Sequence, residues 1–185
     1  MRDHGNRFDL TRRHLLGLGA GALVSLAATP SLALVHQIGE RSLKFHHLNT
    51  AESLSVVYWA EGRYVPESLH EVNHLLRDFR TDEIKQIDPR LLDFLFSLKY
   101  RLDTNNPFQV ISGYRSPKTN AMLRRHSSSV ARNSLHMQGK AIDIRLHGHK
   151  PSQIARAARE MKRGGVGTYR RFVHVDVGDV RVWRG

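Results

Sequence analysis

The 185-residue chain contains no cysteine. This absence excludes a disulfide framework, a thiolate zinc finger, an iron–sulfur cluster and a cysteine nucleophile, so any metal site must be built from histidine, carboxylate and water. Acidic residues are also scarce: the chain has 17 aspartates and glutamates and 29 lysines and arginines, which gives a formal net charge of +12. A charge of this size favours a polyanionic partner, for which nucleic acid, an anionic membrane and an acidic polymer such as cell wall are the candidates.

The chain also lacks a long hydrophobic run near its start. The apolar run from Leu15 to Ala28 is weakened by glycines and is shorter than the ~20 residues needed to span a bilayer. It follows the pair Arg12-Arg13 and precedes the small residues Ser31 and Ala33, after which cleavage is expected. A basic segment, a short apolar run and small residues are typical of a secretory signal, and the paired arginines indicate the twin-arginine variant. A transmembrane or amphipathic first helix is the alternative.

These features predict the organisation of the chain. We expect residues 1–33 to be a twin-arginine signal peptide and residues 34–185 to form one domain, exported to the periplasm by the twin-arginine machinery. The excess of basic residues lies in the exported part. Export therefore argues against nucleic acid as the partner and favours an acidic envelope polymer. We expect the exported domain to be a monomer.

Alternating and helical patterns predict the elements of this domain. Residues 42–48 and 53–59 alternate and predict a β-hairpin. Apolar residues at helical spacing predict four helices, which start near Pro66, Pro89, Pro117 and Pro151. Further strands are predicted at 108–112, 140–146, 171–177 and 180–184, the last two as a pair around Gly178-Asp179. Because helices come early and hairpins late, we expect an α+β fold with a central antiparallel sheet and helices packed on one side.

Two segments carry residues suited to metal chemistry. In the strand A-I-D-I, Asp143 lies beside a sheet core and needs a partner, because an unpaired buried charge is expensive, and His136 precedes it across a turn. In the strand V-H-V-D-V, alternation places His174 and Asp176 on the face opposite the valines. Two histidines and one aspartate are a suitable ligand set for a catalytic zinc with an open fourth position. Spacing alone leaves structural histidines as the commoner interpretation.

Three sequence blocks, in this order, carry a family resemblance. They are S-G-Y-R-S-P at 112–117, S-L-H-M-Q-G-K-A-I-D at 134–143 and H-V-D at 174–176. The chain thereby resembles zinc peptidases of the LAS group, which includes the D-alanyl-D-alanine peptidases, and within it resembles exported murein endopeptidases of the YcbK/MepK type. The resemblance implies a LAS/hedgehog-like core and a zinc endopeptidase in which zinc-bound water attacks peptide cross-links of peptidoglycan, the partner polymer.

The resemblance also implies roles for single residues. His136, Asp143 and His174 would be the Zn²⁺ ligands, and Arg115 would face the substrate carbonyl and stabilise the oxyanion, with a surface-turn arginine as the alternative. Many relatives place a general-base glutamate three residues before the last histidine, where this chain has Arg171. Asp176 would then either accept the proton of the water or only orient the histidine beside it.

Two other functions stay open at this point. One is a D,D-carboxypeptidase or dipeptidase acting on cell-wall peptides, which needs a closed cleft. The other is a non-catalytic envelope-binding module, which the missing glutamate supports and the retained ligand set opposes. Tyr169 and Trp183 either line the cleft or simply pack.

Overall fold

The computed structural model describes residues 39–127 and 130–185. The predicted signal peptide lies outside the described residues, so its boundary and the export route stay predictions. None of the described helices is long and apolar enough to cross a membrane.

The described residues form eight strands and four α-helices. In chain order these are β1 (Arg41–His47), β2 (Ser53–Ala60), β3 (Arg63–Tyr64), α1 (Pro66–Leu75), α2 (Pro89–Arg101), β4 (Phe108–Ser112), α3 (Pro117–His126), β5 (Ala141–Leu146), α4 (Pro151–Glu160), β6 (Gly165–Thr168), β7 (Val173–Asp176) and β8 (Arg181–Arg184), with a 3₁₀ helix at Leu135–Gln138. The predicted hairpin and all four helices are confirmed. Each α-helix has proline in its first turn, where no backbone N–H is needed.

All eight strands belong to one sheet, in the order β3-β2-β1-β4-β5-β7-β6-β8. The predicted α+β class is confirmed. The sheet is mixed, because β1 pairs with β4 and β6 with β8 in parallel, whereas the other five pairings are antiparallel.

The predicted pairing of the last two strands is wrong. Strand β8 pairs with β6, which lies between β8 and β7. The sequence of β6, G-V-G-T, is short and rich in glycine, so its pattern indicated only the end of the preceding helix. Gly167 is required there, because a side chain at this position would overlap the Trp183 indole.

The hydrophobic core lies on one face of the sheet. Helices α1, α2 and α4 contribute residues to it, whereas α3 contributes none. On β5 and β7, Ile142 is opposite Val175 and Ile144 is opposite Val173, and all four are buried. Burying each such side chain stabilises the fold by about 1.5–3 kcal/mol. Because side chains alternate along a strand, the intervening residues of the two strands face the other side of the sheet.

Candidate metal centre and cleft

The three predicted metal ligands meet on the face of the sheet opposite the core. Asp143 on β5 pairs with His174 on β7. His136 lies in the 3₁₀ helix, where the hydroxyl of Ser134 accepts a hydrogen bond from its backbone N–H at 3.3 Å. Gly139 ends this turn with φ at +67°, a conformation that glycine adopts without steric cost. The chain therefore turns back into β5 and brings His136 beside Asp143.

The donor atoms of this group are close together. Nδ1 of His174 lies 2.9 Å from Oδ1 of Asp143 and 3.1 Å from Nε2 of His136, which is itself 3.3 Å from the same carboxylate oxygen. All three residues are buried. The structure thus brings together the ligand group predicted from the sequence.

The outer partners of the two histidines determine which ring nitrogens carry hydrogen. Nδ1 of His136 donates to the Gly113 carbonyl at 2.7 Å, and Nε2 of His174 donates to Oδ2 of Asp176 at 3.0 Å. A neutral imidazole has one N–H. The remaining lone pairs therefore converge with the carboxylate of Asp143, and three electron-pair donors that face one another suit a bound cation.

Burial and charge act in opposite directions on these groups. Burial would raise the pKa of Asp143, but the two histidines outweigh it and hold this pKa well below its usual range. For His136, burial dominates and lowers the pKa. Burial would also lower the pKa of His174, yet hydrogen bonds to Asp143 and Asp176 raise it to about 8. A metal ion binds the neutral form of this ring, so metal binding competes with its protonation.

Asp176 lies behind His174 rather than beside the metal group. It is 0% exposed and also accepts hydrogen bonds from the backbone of Gly165 at 3.1 Å and of Gly178 at 2.9 Å. The guanidinium of Arg181 binds its two oxygens at 3.1 and 2.6 Å. Burial would raise the pKa of Asp176, but the hydrogen bonds from His174 and Gly178 lower it to about 2. This carboxylate is fully engaged, which favours the orienting role over the general-base role.

Arg115 lies largely but not fully buried at the side of the group. Its side chain is 12% exposed, with Nη2 3.8 Å from Oδ2 of Asp143, and its Nη1 donates to Oδ1 of Asn120 at 3.4 Å. Its Nε is buried and finds no partner within the described residues. Burial lowers the pKa of this guanidinium, and the Asp143 carboxylate acts against the shift. This environment is not that of a surface-turn arginine.

The loop that carries Arg115 is held by its neighbours. The buried Asp78 accepts a hydrogen bond from the backbone of Ser116 at 2.8 Å, and the backbone of Tyr114 donates to Leu76 at 2.7 Å. Arg115 itself donates its backbone N–H to the His136 carbonyl at 3.2 Å. These bonds couple the position of the guanidinium to the metal group.

The group opens into a cleft of about 480 Å³. Arg115, His136, Asp143 and His174 line it together with Tyr169, Phe172, Arg181 and Trp183. Asp143 is the only carboxylate that lines the cleft among the described residues. Arg171, which stands where many relatives have glutamate, is exposed and lies outside this lining.

Sequence reasoning missed several residues of the site. Arg181 binds Asp176, and Asn120 binds Arg115. Asp78 binds the backbone of Ser116, and the carbonyl of Gly113 binds His136. Arg181 follows Asp176 across the turn at Gly178-Asp179, so the predicted turn itself was a signal that these two side chains are close. Asn120 lies five residues after Arg115, on helix α3. The contacts of Asp78 and of the Gly113 carbonyl join distant parts of the chain and have no local signal.

A buried histidine–aspartate group that fits a metal ion, beside an arginine whose Nε has no partner among the described residues and open to a cleft, is the arrangement of a metal-dependent hydrolase in an α+β fold. The sequence profile of the family described as "Peptidoglycan L,D-endopeptidase MepK" matches residues 36–183. The chain therefore belongs to this family.

Two relatives with similar sequences agree with that assignment. The chain is 42% identical to "Peptidoglycan L,D-endopeptidase MepK" of Escherichia coli (strain K12), over 96% of this chain and 100% of that protein. It is 39% identical to "Probable peptidoglycan L,D-endopeptidase MepK" of Haemophilus influenzae, over 97% and 99% of the two chains. Among solved structures, the L-Ala D-Glu endopeptidase ChiX of Serratia marcescens is 28% identical, with a TM-score of 0.33 over 42% of this chain and 62% of that chain.

Proposed function

We propose that the chain is an exported zinc endopeptidase that hydrolyses peptide cross-links of peptidoglycan. The convergence of His136, Asp143 and His174, with the outer ring nitrogens of both histidines already engaged, is the observation that carries the proposal. The names of the relatives support a cross-link of the L,D type as the substrate.

Zinc is the metal we propose for this group. Two imidazole nitrogens and one carboxylate oxygen, with room for a fourth ligand, are a ligand set that catalytic zinc commonly uses. When bound, zinc supplies Lewis acidity that activates water and polarises the scissile carbonyl. The outer hydrogen bonds to Gly113 and Asp176 hold the two rings in the orientation that this role requires.

Arg115 is proposed to stabilise the negative charge that develops on the carbonyl oxygen. Its Nε has no partner in the described structure, and its backbone bond to His136 keeps it beside the metal group. A preorganised donor in a desolvated site stabilises charge strongly, because no solvent has to reorganise.

Asp176 is proposed to orient His174 rather than to accept a proton from water. Both of its oxygens are engaged by Arg181 and by His174 or backbone N–H groups. The proton of the attacking water must then be accepted by a group other than Asp176. That group belongs either to the metal group or to residues outside the described lining of the cleft.

Location in the periplasm is proposed on the signal pattern of residues 1–33. The acidic character of peptidoglycan suits a basic protein, since opposite charge raises the local concentration of the enzyme at its substrate. We also propose that the exported domain is a monomer, as predicted from the sequence.

The test is digestion of purified sacculi, with the released fragments identified by mass. Cleavage of an internal L,D-amide is expected, and it should stop on chelation and return with zinc. His136→Ala should be inactive, whereas the exposed His147→Ala is the matched control and should be fully active. Release of free D-alanine alone would indicate a carboxypeptidase, and binding without any cleavage would indicate a non-catalytic module.

A further inference from the structure

Few described side chains of the cleft can donate or accept a proton beyond the metal group. Its lining contains two arginines, Arg115 and Arg181, and the hydroxyls of Ser134 and Tyr169. Ser134 is buried at the start of the 3₁₀ helix, where its oxygen is used as the N-cap. Tyr169 is therefore the hydroxyl available to a substrate.

The ring of Tyr169 is held at the end of β6. It stacks on Phe172 with the ring centroids 4.4 Å apart and the planes 9° from parallel. The backbone N–H of Tyr169 also donates to the Phe172 carbonyl at 3.0 Å. A stacked ring with a bonded backbone presents its hydroxyl in a defined place.

The hydroxyl oxygen is fixed by a second aromatic residue. Nε1 of Trp183 donates to it at 3.1 Å, and the Trp183 ring packs against His174 with the centroids 5.2 Å apart. Indole is a donor only, so this bond occupies a lone pair of the phenol and leaves its proton free. Among the described residues, no acceptor is bonded to that proton, and the proton is available to a ligand in the cleft.

We propose that Tyr169 is a further catalytic residue, which donates a hydrogen bond to the oxyanion that forms during hydrolysis. The inference rests on the proposed function, because it assigns a second oxyanion donor beside Arg115 in the same cleft. The phenol keeps its proton throughout, so the step needs no other proton carrier. The Trp183 indole positions the hydroxyl, and its contact with His174 ties that position to the metal group.

Other features of the structure support this role. Arg115 and Tyr169 line the same cleft as the three residues of the metal group. Gly167 leaves space that the Trp183 indole fills. The local sequence of β6 therefore serves to seat the tryptophan that holds the Tyr169 hydroxyl.

The test compares Tyr169→Phe with Tyr100→Phe. The first variant removes only the hydroxyl and keeps the ring that stacks on Phe172. The second removes an equivalent hydroxyl from a residue that is 70% exposed on α2 and lies outside the cleft lining. Loss of one oxyanion donor typically lowers kcat about 100-fold or more. We expect this loss in Tyr169→Phe with KM and zinc content unchanged, and no loss in Tyr100→Phe.

Ligand binding supplies a readout that does not need turnover. A phosphinic peptide imitates the tetrahedral oxyanion. The control ligand is the same peptide with its scissile amide reduced to CH2–NH, which has no such oxygen and is not cleaved. For the zinc-loaded protein, Tyr169→Phe should weaken phosphinic binding by about the factor lost in kcat and leave reduced-peptide binding unchanged. Equal affinity of both proteins for the phosphinic peptide would overturn the proposal, as would a rise in KM alone. Failure of the wild type to cleave sacculi would instead overturn the proposed function, and the binding comparison would still decide the role of Tyr169.

Discussion

The two ring nitrogens of His174 face different carboxylates, and this asymmetry determines what each carboxylate does. Nδ1 lies 2.9 Å from Asp143 and Nε2 lies 3.0 Å from Asp176. The first carboxylate is therefore in the metal group and the second is outside it. An outer carboxylate of this kind fixes the ring orientation and raises the basicity of the coordinating nitrogen.

Asp176→Asn tests that division of roles. The amide keeps the size of the side chain but loses the negative charge, so we expect zinc affinity to fall about 10–100-fold. Activity should recover in excess zinc, because the catalytic groups in the cleft are intact. The measurements are the zinc Kd and kcat at saturating zinc. Normal zinc affinity with kcat reduced about 100-fold would instead identify Asp176 as the general base.

Arg115 gives a second prediction for a single side chain. Because its Nε is unpaired and buried, we expect Arg115→Ala to lose transition-state stabilisation rather than substrate capture. kcat and kcat/KM should fall together by about 100-fold or more. The exposed Arg124→Ala is the matched control and should leave both parameters unchanged. A rise in KM with unchanged kcat would show that Arg115 only holds the substrate.

Strand β6 shows how one short element supports the site. It separates β7, which carries His174, from β8, which carries Arg181 and Trp183. Trp183 therefore reaches the metal group from two strands away. The glycines of β6 make this possible, because a side chain at Gly165 would overlap Asp176 and Arg181, and one at Gly167 would overlap Trp183.

Gly167→Ala tests the packing of this element. The added methyl group has no space beside the indole, so we expect the free energy of unfolding to fall by about 1–3 kcal/mol. The matched control is Gly39→Ala, because nothing lies within 4 Å of a side chain at that position. Denaturant unfolding of the two variants measures the difference. Equal stability would contradict the close contact between β6 and β8.

At the scale of the whole molecule, charge and export are linked. The formal net charge of the full chain is +12, and most of it lies in the part that we expect to reach the periplasm. A basic enzyme in that compartment is attracted to an acidic polymer, whereas a free cytoplasmic protein of the same charge would meet nucleic acid.

Export itself is predicted to depend on Arg12 and Arg13. Replacing both with lysine keeps the charge but removes the paired guanidinium groups that a twin-arginine signal needs. We expect the variant to accumulate in the cytoplasm, as measured by fractionation and blotting. The control replaces Arg2 and Arg7 in the same way and should be exported normally. Unchanged periplasmic yield of the Arg12/Arg13 variant would contradict this route.

Local sequence patterns determined the helices of this protein and the sheet face on which the site residues lie. Proline at helix starts and apolar spacing predicted all four helices, because both act over neighbouring residues. Alternation in V-H-V-D-V predicted that His174 and Asp176 share a face, which the register of β5 and β7 confirms. The ligand group itself was predicted from sequence blocks typical of the family.

Only the tertiary structure decided how distant segments meet. The parallel pairing of β6 with β8, the carbonyl of Gly113 beside His136 and the unpaired Nε of Arg115 all depend on residues far apart in the chain. The same is true of Asp176, for which alternation defined a face but not which nitrogen of His174 it would bind. Period-two alternation states the side of a sheet on which a residue lies, whereas hydrogen-bond partners depend on register and on neighbouring strands.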